Sequence, residues 1–108
     1  MVSEKVITEE VAGLNSYEMV LIIRPELAEE KFEAIIDNIS KYITGKGGVV
    51  SDIQRWGKRK LAYPIKHSME GSYVLSQFRM KPEFCKELEA NLRISEEVLR
   101  HLLIKIDS

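Results

Sequence analysis

Between Ile53 and Met69 stand five cationic side chains, Arg55, Lys58, Arg59, Lys60 and Lys66, with no acid among them and with Trp56 and Tyr63 interleaved. These residue types do not make or break bonds; clustered cations beside aromatic rings suit the binding of a phosphate backbone. The surrounding charge sharpens the contrast. The 108-residue chain carries 16 Lys+Arg against 17 Asp+Glu, so setting those five aside leaves 11 basic residues facing the same 17 acids, a balance of −6. A positive segment on an acidic body is what a localised phosphate-binding surface looks like in sequence. A solvated surface strand would look the same, and composition alone does not separate the two.

Other reactive side chains form no set. His67 lies in an expected turn and His101 in an expected strand, where a satisfied structural histidine is the simpler reading. Cys85 beside Lys86 near a helix start has the setting that lowers a thiol pKa, but no histidine is close in sequence. Glu29-Glu30 and Glu96-Glu97 fall on solvent-facing positions. There is no phosphate loop, dinucleotide fingerprint or pair of metal-ligand clusters. The reading is a chain with no active site, no cofactor and no metal, and not an enzyme.

Length and composition bound the rest. One domain fits 108 residues, with a real core and little to spare. At 44% hydrophobic residues the chain is neither disordered nor membrane-spanning, and its longest apolar run, Met19–Ile23, is far too short to cross a bilayer. The first dozen residues, with Glu4, Glu9 and Glu10, do not resemble a secretion signal. One cysteine excludes an internal disulfide and makes a reducing, cytoplasmic setting the default.

Positioning the cationic run requires a scaffold, and the hydrophobic pattern supplies one. Residues 1–15 show no useful alternation and are expected to form a flexible arm ahead of a domain at 16–108. Ser16–Arg24 is nearly all apolar, as in a central strand buried on both faces. Pro25 then suits the first turn of a helix whose Ala28, Phe32, Ile35, Ile36, Ile39 and Ile43 form one stripe, ending at Gly45-Lys46-Gly47-Gly48. A long second strand, Val49–Ile65, is expected to carry a bulge at Gly57, followed by a turn over Lys66–Gly71 and a third strand, Ser72–Met80. Pro82 opens a second helix with Phe84, Leu88 and Leu92 inward, and Val98–Ile106 makes the last strand.

The order β-α-β-β-α-β predicts an α+β, ferredoxin-like fold: a four-stranded antiparallel sheet with both helices on one face and the first and third strands central. The other face is open. Core packing accounts for Val74, Phe78 and Met80, but Val20, Ile22, Tyr73 and Leu75 on the open side lack an internal explanation. A partner on that face is expected. Base stacking in the manner of an RNA-recognition motif does not fit, because the third strand opens Glu70-Gly71-Ser72-Tyr73 where that motif needs a basic residue and spaced aromatics.

Four segments together resemble the bacterial small-subunit ribosomal protein number six family. They are Tyr17-Glu18-Met19-Val20-Leu21-Ile22-Ile23-Arg24-Pro25, Gly57-Lys58-Arg59-Lys60-Leu61-Ala62-Tyr63-Pro64-Ile65, Glu70-Gly71-Ser72-Tyr73-Val74, and Leu92-Arg93-Ile94 with Val98-Leu99-Arg100. The resemblance runs from Ser16 to about Ile106 and is most specific in the Gly57–Ile65 stretch. It implies a ferredoxin-like fold, no enzymatic activity, and a place on a cytoplasmic or organelle ribosome. It also implies a heterodimer with small-subunit protein number eighteen that binds the central domain of small-subunit ribosomal RNA. A near-neutral chain needs such a basic partner, since affinity for a polyanion comes largely from clustered cations. The arm and the short C-terminus depart from the family pattern.

Expected RNA contacts are Lys58, Arg59, Lys60 and Lys66, with Arg93 and Arg100 around the last strand; Arg59 matches the family pattern best. Expected partner contacts are Trp56, Leu61, Tyr63, Tyr73 and Leu75, although Trp56 and Tyr63 would equally fill the edge of the core. The alternative from another class is a ferredoxin-like regulatory module binding a small ligand. An acylphosphatase-like enzyme would need a phosphate loop that Arg24-Pro25-Glu26 does not provide.

Overall fold

A computed structural model describes residues 13–106. In chain order the elements are β1 (Asn15–Ile23), α1 (Glu29–Gly45), β2 (Val49–Ile65), β3 (Ser68–Met80), a 3-10 turn (Pro82–Phe84), α2 (Cys85–Ile94) and β4 (Val98–Ile106). All strand pairs are antiparallel and the sheet order is β2-β3-β1-β4, so the first and third strands are central as expected. Asn15, assigned above to the arm, opens β1. The rest of that expected arm, residues 1–12, lies outside the described residues.

Alternation in β1 decides the layers. Tyr17, Met19, Leu21 and Ile23 are buried, and they face a core completed by Val74, Phe78 and Met80 from β3, Phe32 and Ile43 from α1, and Leu88 and Leu92 from α2. Tyr17 and Phe78, directly paired across the strands, stack with ring centroids 5.6 Å apart. Val20 and Ile22 alternate to the opposite face, beside Leu75 and Tyr73 on β3 and Leu102 and Arg100 on β4.

The first helix begins later than the proline suggested. Its first backbone bond runs from Phe32 N–H to the Ala28 carbonyl, and Pro25 lies in the preceding turn. Arg24 explains the delay: its backbone N–H donates to Glu97 and its Nε to Glu96, binding the end of β1 to the loop before β4. The C-terminus behaves as the glycines predict. Gly48 N–H reaches the Ile43 carbonyl and Gly47 N–H the Thr44 carbonyl, a Schellman arrangement with Gly47 at φ +83°. Gly48 serves a second purpose, since a Cβ there would sit 2.5 Å from the Arg79 backbone oxygen.

The β2–β3 hairpin differs most from expectation. Its turn is only Lys66-His67, not Lys66–Gly71, and β3 starts at Ser68. Both turn residues have positive φ, 48° and 70°, the sign a two-residue hairpin loop of the right twist demands. Three irregularities shape β2. Ser51 is an extra residue between the Val50↔Phe78 and Asp52↔Gln77 pairs, and Trp56 is extra between Arg55↔Val74 and Gly57↔Tyr73, with Gly57 at φ +87°. Further along, Leu61-Ala62-Tyr63-Pro64 stands opposite Met69 alone. Pro64 therefore sits where its missing N–H costs no ladder bond.

Candidate nucleic-acid interface

The bulge at Trp56 sorts the cationic run. Arg55 pairs with buried Val74 and so points to the helix layer, where its guanidinium lies 4.4 Å from the Phe32 ring centroid and binds both Glu29 and Glu33. That guanidinium holds the Glu29 carboxyl below its ordinary range, and the carboxylate in turn raises the arginine's pKa. Arg55 is thus neutralised within the fold.

Beyond the bulge the alternation is reset. Gly57 opposes Tyr73 and Arg59 opposes Gly71, which places Arg59 on the open face, while Lys58 and Lys60 alternate to the other side. The Arg59 guanidinium lies 5.5 Å from the Trp56 ring and 6.0 Å from the Tyr73 ring. Trp56 is itself oriented by Nε1–H donating to Gln54. The result is a cation beside two aromatic faces with no ion pair among the described residues. Lys58, Arg59 and Lys60 are all exposed, and none forms an ion pair among the described residues.

The bulged Leu61–Pro64 segment brings the hairpin tip back toward the sheet. Arg100 on β4 donates to the Tyr63 hydroxyl at 2.7 Å, and Lys66 Nζ donates to the Val98 carbonyl at 3.1 Å. Leu61 lies against Gly71 beside Ile22, where a side chain on Gly71 would collide with Ile22 Cγ2. Lys66 and Arg100 are therefore gathered at the head of β4, near Arg93 at the end of α2, while Arg59 stands on β2 at the opposite edge of the sheet.

The expected partner residues separate into two groups. Trp56 and Tyr63 are 43% and 56% exposed, so they do not fill the core's edge. Leu61 and Leu75 are buried within the chain itself, at 9% and 8%, and offer little surface. Tyr73 is half-buried. Sequence reasoning missed Leu102 and Ile104 on β4, which are 55% and 45% exposed on the open face, with Ile106 continuing the row. Their alternation with Arg100 downstream of a central-strand pair was the available signal. Elsewhere, His101 faces Glu89 at 3.6 Å as a structural histidine, His67 is exposed in the turn, and Cys85 is half-buried at the start of α2.

The ferredoxin-like scaffold thus carries a cationic edge and a partly apolar open face, and among the described residues it gathers no cluster of metal-ligating side chains. The family model described as Ribosomal protein S6 matches residues 16–105. The chain belongs to this family. Small ribosomal subunit protein bS6 of Dehalococcoides mccartyi is 41% identical over 107 residues, covering 99% of this chain and 98% of the relative. The bS6 protein of Carboxydothermus hydrogenoformans is 47% identical over 94 residues, covering 87% and 98%. Among solved structures, the crystal structure of 30S ribosomal protein S6 from Thermotoga maritima superposes with a TM-score of 0.80 at 32% identity, covering 86% of this chain and 88% of that one. The C-terminal domain of the MgtC protein from Mycobacterium tuberculosis shares the fold alone, with a TM-score of 0.57 at 18% identity. As a member of the bS6 family the chain is a small-subunit ribosomal protein and a structural one, not an enzyme. Its place on the bacterial ribosome makes small-subunit ribosomal RNA its macromolecular environment.

Proposed function

We propose that this bS6 protein binds the central domain of small-subunit ribosomal RNA jointly with small-subunit ribosomal protein number eighteen, as a heterodimer. The observation that carries the reading is that one sheet face bears both features: Arg59 on β2 between Trp56 and Tyr73, with no ion pair among the described residues, and, along the opposite edge on β4, exposed Leu102, Ile104 and Ile106. Cations of that kind suit a phosphate backbone, whereas apolar side chains suit a protein. With formal net charge −1, the chain has little long-range attraction for RNA of its own, which favours a mechanism in which the partner completes the charged surface.

Titration of central-domain RNA with and without protein number eighteen tests the proposal. Binding is expected to be weak for either protein alone and to tighten when both are present. Equally tight binding by this chain alone would remove the cooperative mechanism, and no binding in either condition would remove the RNA reading.

A further inference from the structure

We propose that Lys66, Arg93 and Arg100 form a discrete phosphate-binding pocket at the head of β4, which takes one phosphodiester of RNA. The inference deepens the RNA-binding reading above and rests on it. Three elements converge there: the hairpin turn brings Lys66, the last turn of α2 brings Arg93, and β4 brings Arg100 and His101. They rim a depression of about 250 Å³ whose wall includes the buried side chains of Leu92, Val98 and Leu99. Among the described residues no carboxylate lines it, Glu89 standing behind the rim at 3.6 Å from His101. Apolar walls beneath a cationic rim lower the local dielectric and strengthen attraction for an anion.

The sheet builds this corner deliberately. Between Ile22↔Arg100 and Ile23↔Val98 the register slips, so Leu99 is an extra residue in β4. A bulge of this kind re-aims the side chains around it. Lys66 and Arg100 are then steadied by neutral acceptors, the Val98 carbonyl and the Tyr63 hydroxyl, which restrict the side chains without cancelling their charge. Arg93 has no hydrogen bond or ion pair among the described residues, although it lies at a helix C-terminus where a cation is favoured.

Other depressions of similar size lack this character. One of about 340 Å³ holds Arg24, Arg55 and Lys58, yet Glu29 lines it too and pairs with Arg55. A groove of about 270 Å³ between the helices is lined by Ile35, Ile39 and Leu92 with Glu97, and carries no cation. Only the corner at the head of β4 combines concavity, three permanent cations and no acid among the depressions compared.

The test uses the full chain with protein number eighteen and central-domain RNA, measuring affinity against salt for wild type, R93Q, K66M, R93K and R59Q. R93Q and K66M are each expected to lower the salt slope by about one unit, and R93K to restore it. In parallel, amide chemical shifts of the free protein are followed during titration with inorganic phosphate. Shifts centred on residues 92–94 and 98–101, lost in R93Q, support the pocket. An unchanged slope in R93Q and K66M while R59Q lowers it would overturn the pocket and leave the RNA reading standing. Phosphate-induced shifts without a slope change would mean that the pocket holds free anions only, and would overturn it as an RNA site. Absence of RNA binding by the wild-type pair would overturn both. If K66M proves unstable through loss of its Val98 bond, R93Q alone decides, since that side chain makes no hydrogen bond or ion pair among the described residues.

Discussion

Replacing Lys58, Arg59 and Lys60 together by alanine, and separately Arg55 by glutamine, should give opposite phenotypes from neighbouring residues of one strand. All four are cations within six positions, so sequence treats them alike. In the structure Arg55 is bound by Glu29 and Glu33, whereas the other three form no ion pair among the described residues, Lys60 included although it stands opposite Glu70 across the hairpin. Only uncompensated cations release counterions from RNA on binding. Three such contacts at about 0.7–0.9 each predict that the triple variant loses roughly two to three units of salt slope. Across a fourfold range, such as about 50 to 200 mM salt, that is roughly a 20- to 40-fold smaller change in affinity. The folded state should lose no more than the exposed contacts of Arg59 with Trp56 and Tyr73, worth about 0.5–1 kcal/mol, a thermal midpoint shift of roughly 2–8 °C. Arg55→Gln should do the reverse, lowering the midpoint while leaving the slope unchanged. Binding to central-domain RNA in the presence of protein number eighteen can be followed through Trp56, the sole tryptophan, which sits within the cluster. An unchanged slope in the triple variant would show that the run is only a solvated strand; a slope loss in Arg55→Gln would show that charge compensation does not sort these residues.

Three further outcomes are expected. Gly48→Ala should cost about 1–3 kcal/mol in chemical denaturation, because its Cβ would press on the Arg79 and Ile43 backbone oxygens, which cannot rotate away; a neutral result would refute the close approach. Leu102→Ser with Ile104→Ser should leave folding within about 0.5 kcal/mol per site but weaken the protein partner by about 2 kcal/mol in total, roughly thirty-fold in Kd, if that face is covered. For pH, Glu29 is held below its ordinary 4.5, so its contribution is present above that value and fades as pH falls through the lower folded one. Tyr42 is pushed up to about 12 by burial and by its bond to Glu87, so its contribution is whole below 10 and is lost as pH rises between 10 and 12. Arg55→Gln should flatten the acid limb of midpoint against pH and Tyr42→Phe the alkaline limb; curves parallel to wild type would refute both assignments.

Much of the scaffold was legible because apolar spacing and glycine chemistry act locally. The stripe from Phe32 to Ile43, the cap at Gly47 and the bulge at Gly57 each follow from residues a few positions apart. What was not legible depends on distant partners. Lys66-His67 makes a tight turn with positive φ though neither residue is glycine or asparagine, so local chemistry points to a turn four residues longer, extending to Gly71. Gly71 has a different purpose: it clears space for Ile22 across the strand pair. The start of α1 is set by Arg24 reaching Glu96 and Glu97, some seventy residues away, and no local pattern reports that. Likewise Leu61 and Leu75 look like surface anchors by alternation, yet the curled hairpin and the flanking strands bury them and leave β4 exposed instead.

The partners of each cation suggest a rule that charge counting misses. Immobilising an arginine or lysine side chain costs up to about 2 kcal/mol of rotamer entropy, so a binding site gains if its cations are already ordered. An acid orders a cation but cancels its field, as Glu29 and Glu33 do for Arg55. A ring face, a hydroxyl or a backbone carbonyl orders it and leaves the charge intact. Arg59 between Trp56 and Tyr73, Arg100 on the Tyr63 hydroxyl and Lys66 on the Val98 carbonyl are all of the second kind. On this basis Trp56, Tyr63 and Tyr73 act as positioning residues for cations. Tyr63→Phe, which removes only the hydroxyl that receives Arg100, should then weaken RNA binding through a slower on-rate or a larger ordering cost while leaving the salt slope at its wild-type value. A fall in slope equal to that of Arg100→Gln would show instead that the hydroxyl is needed for the phosphate contact itself.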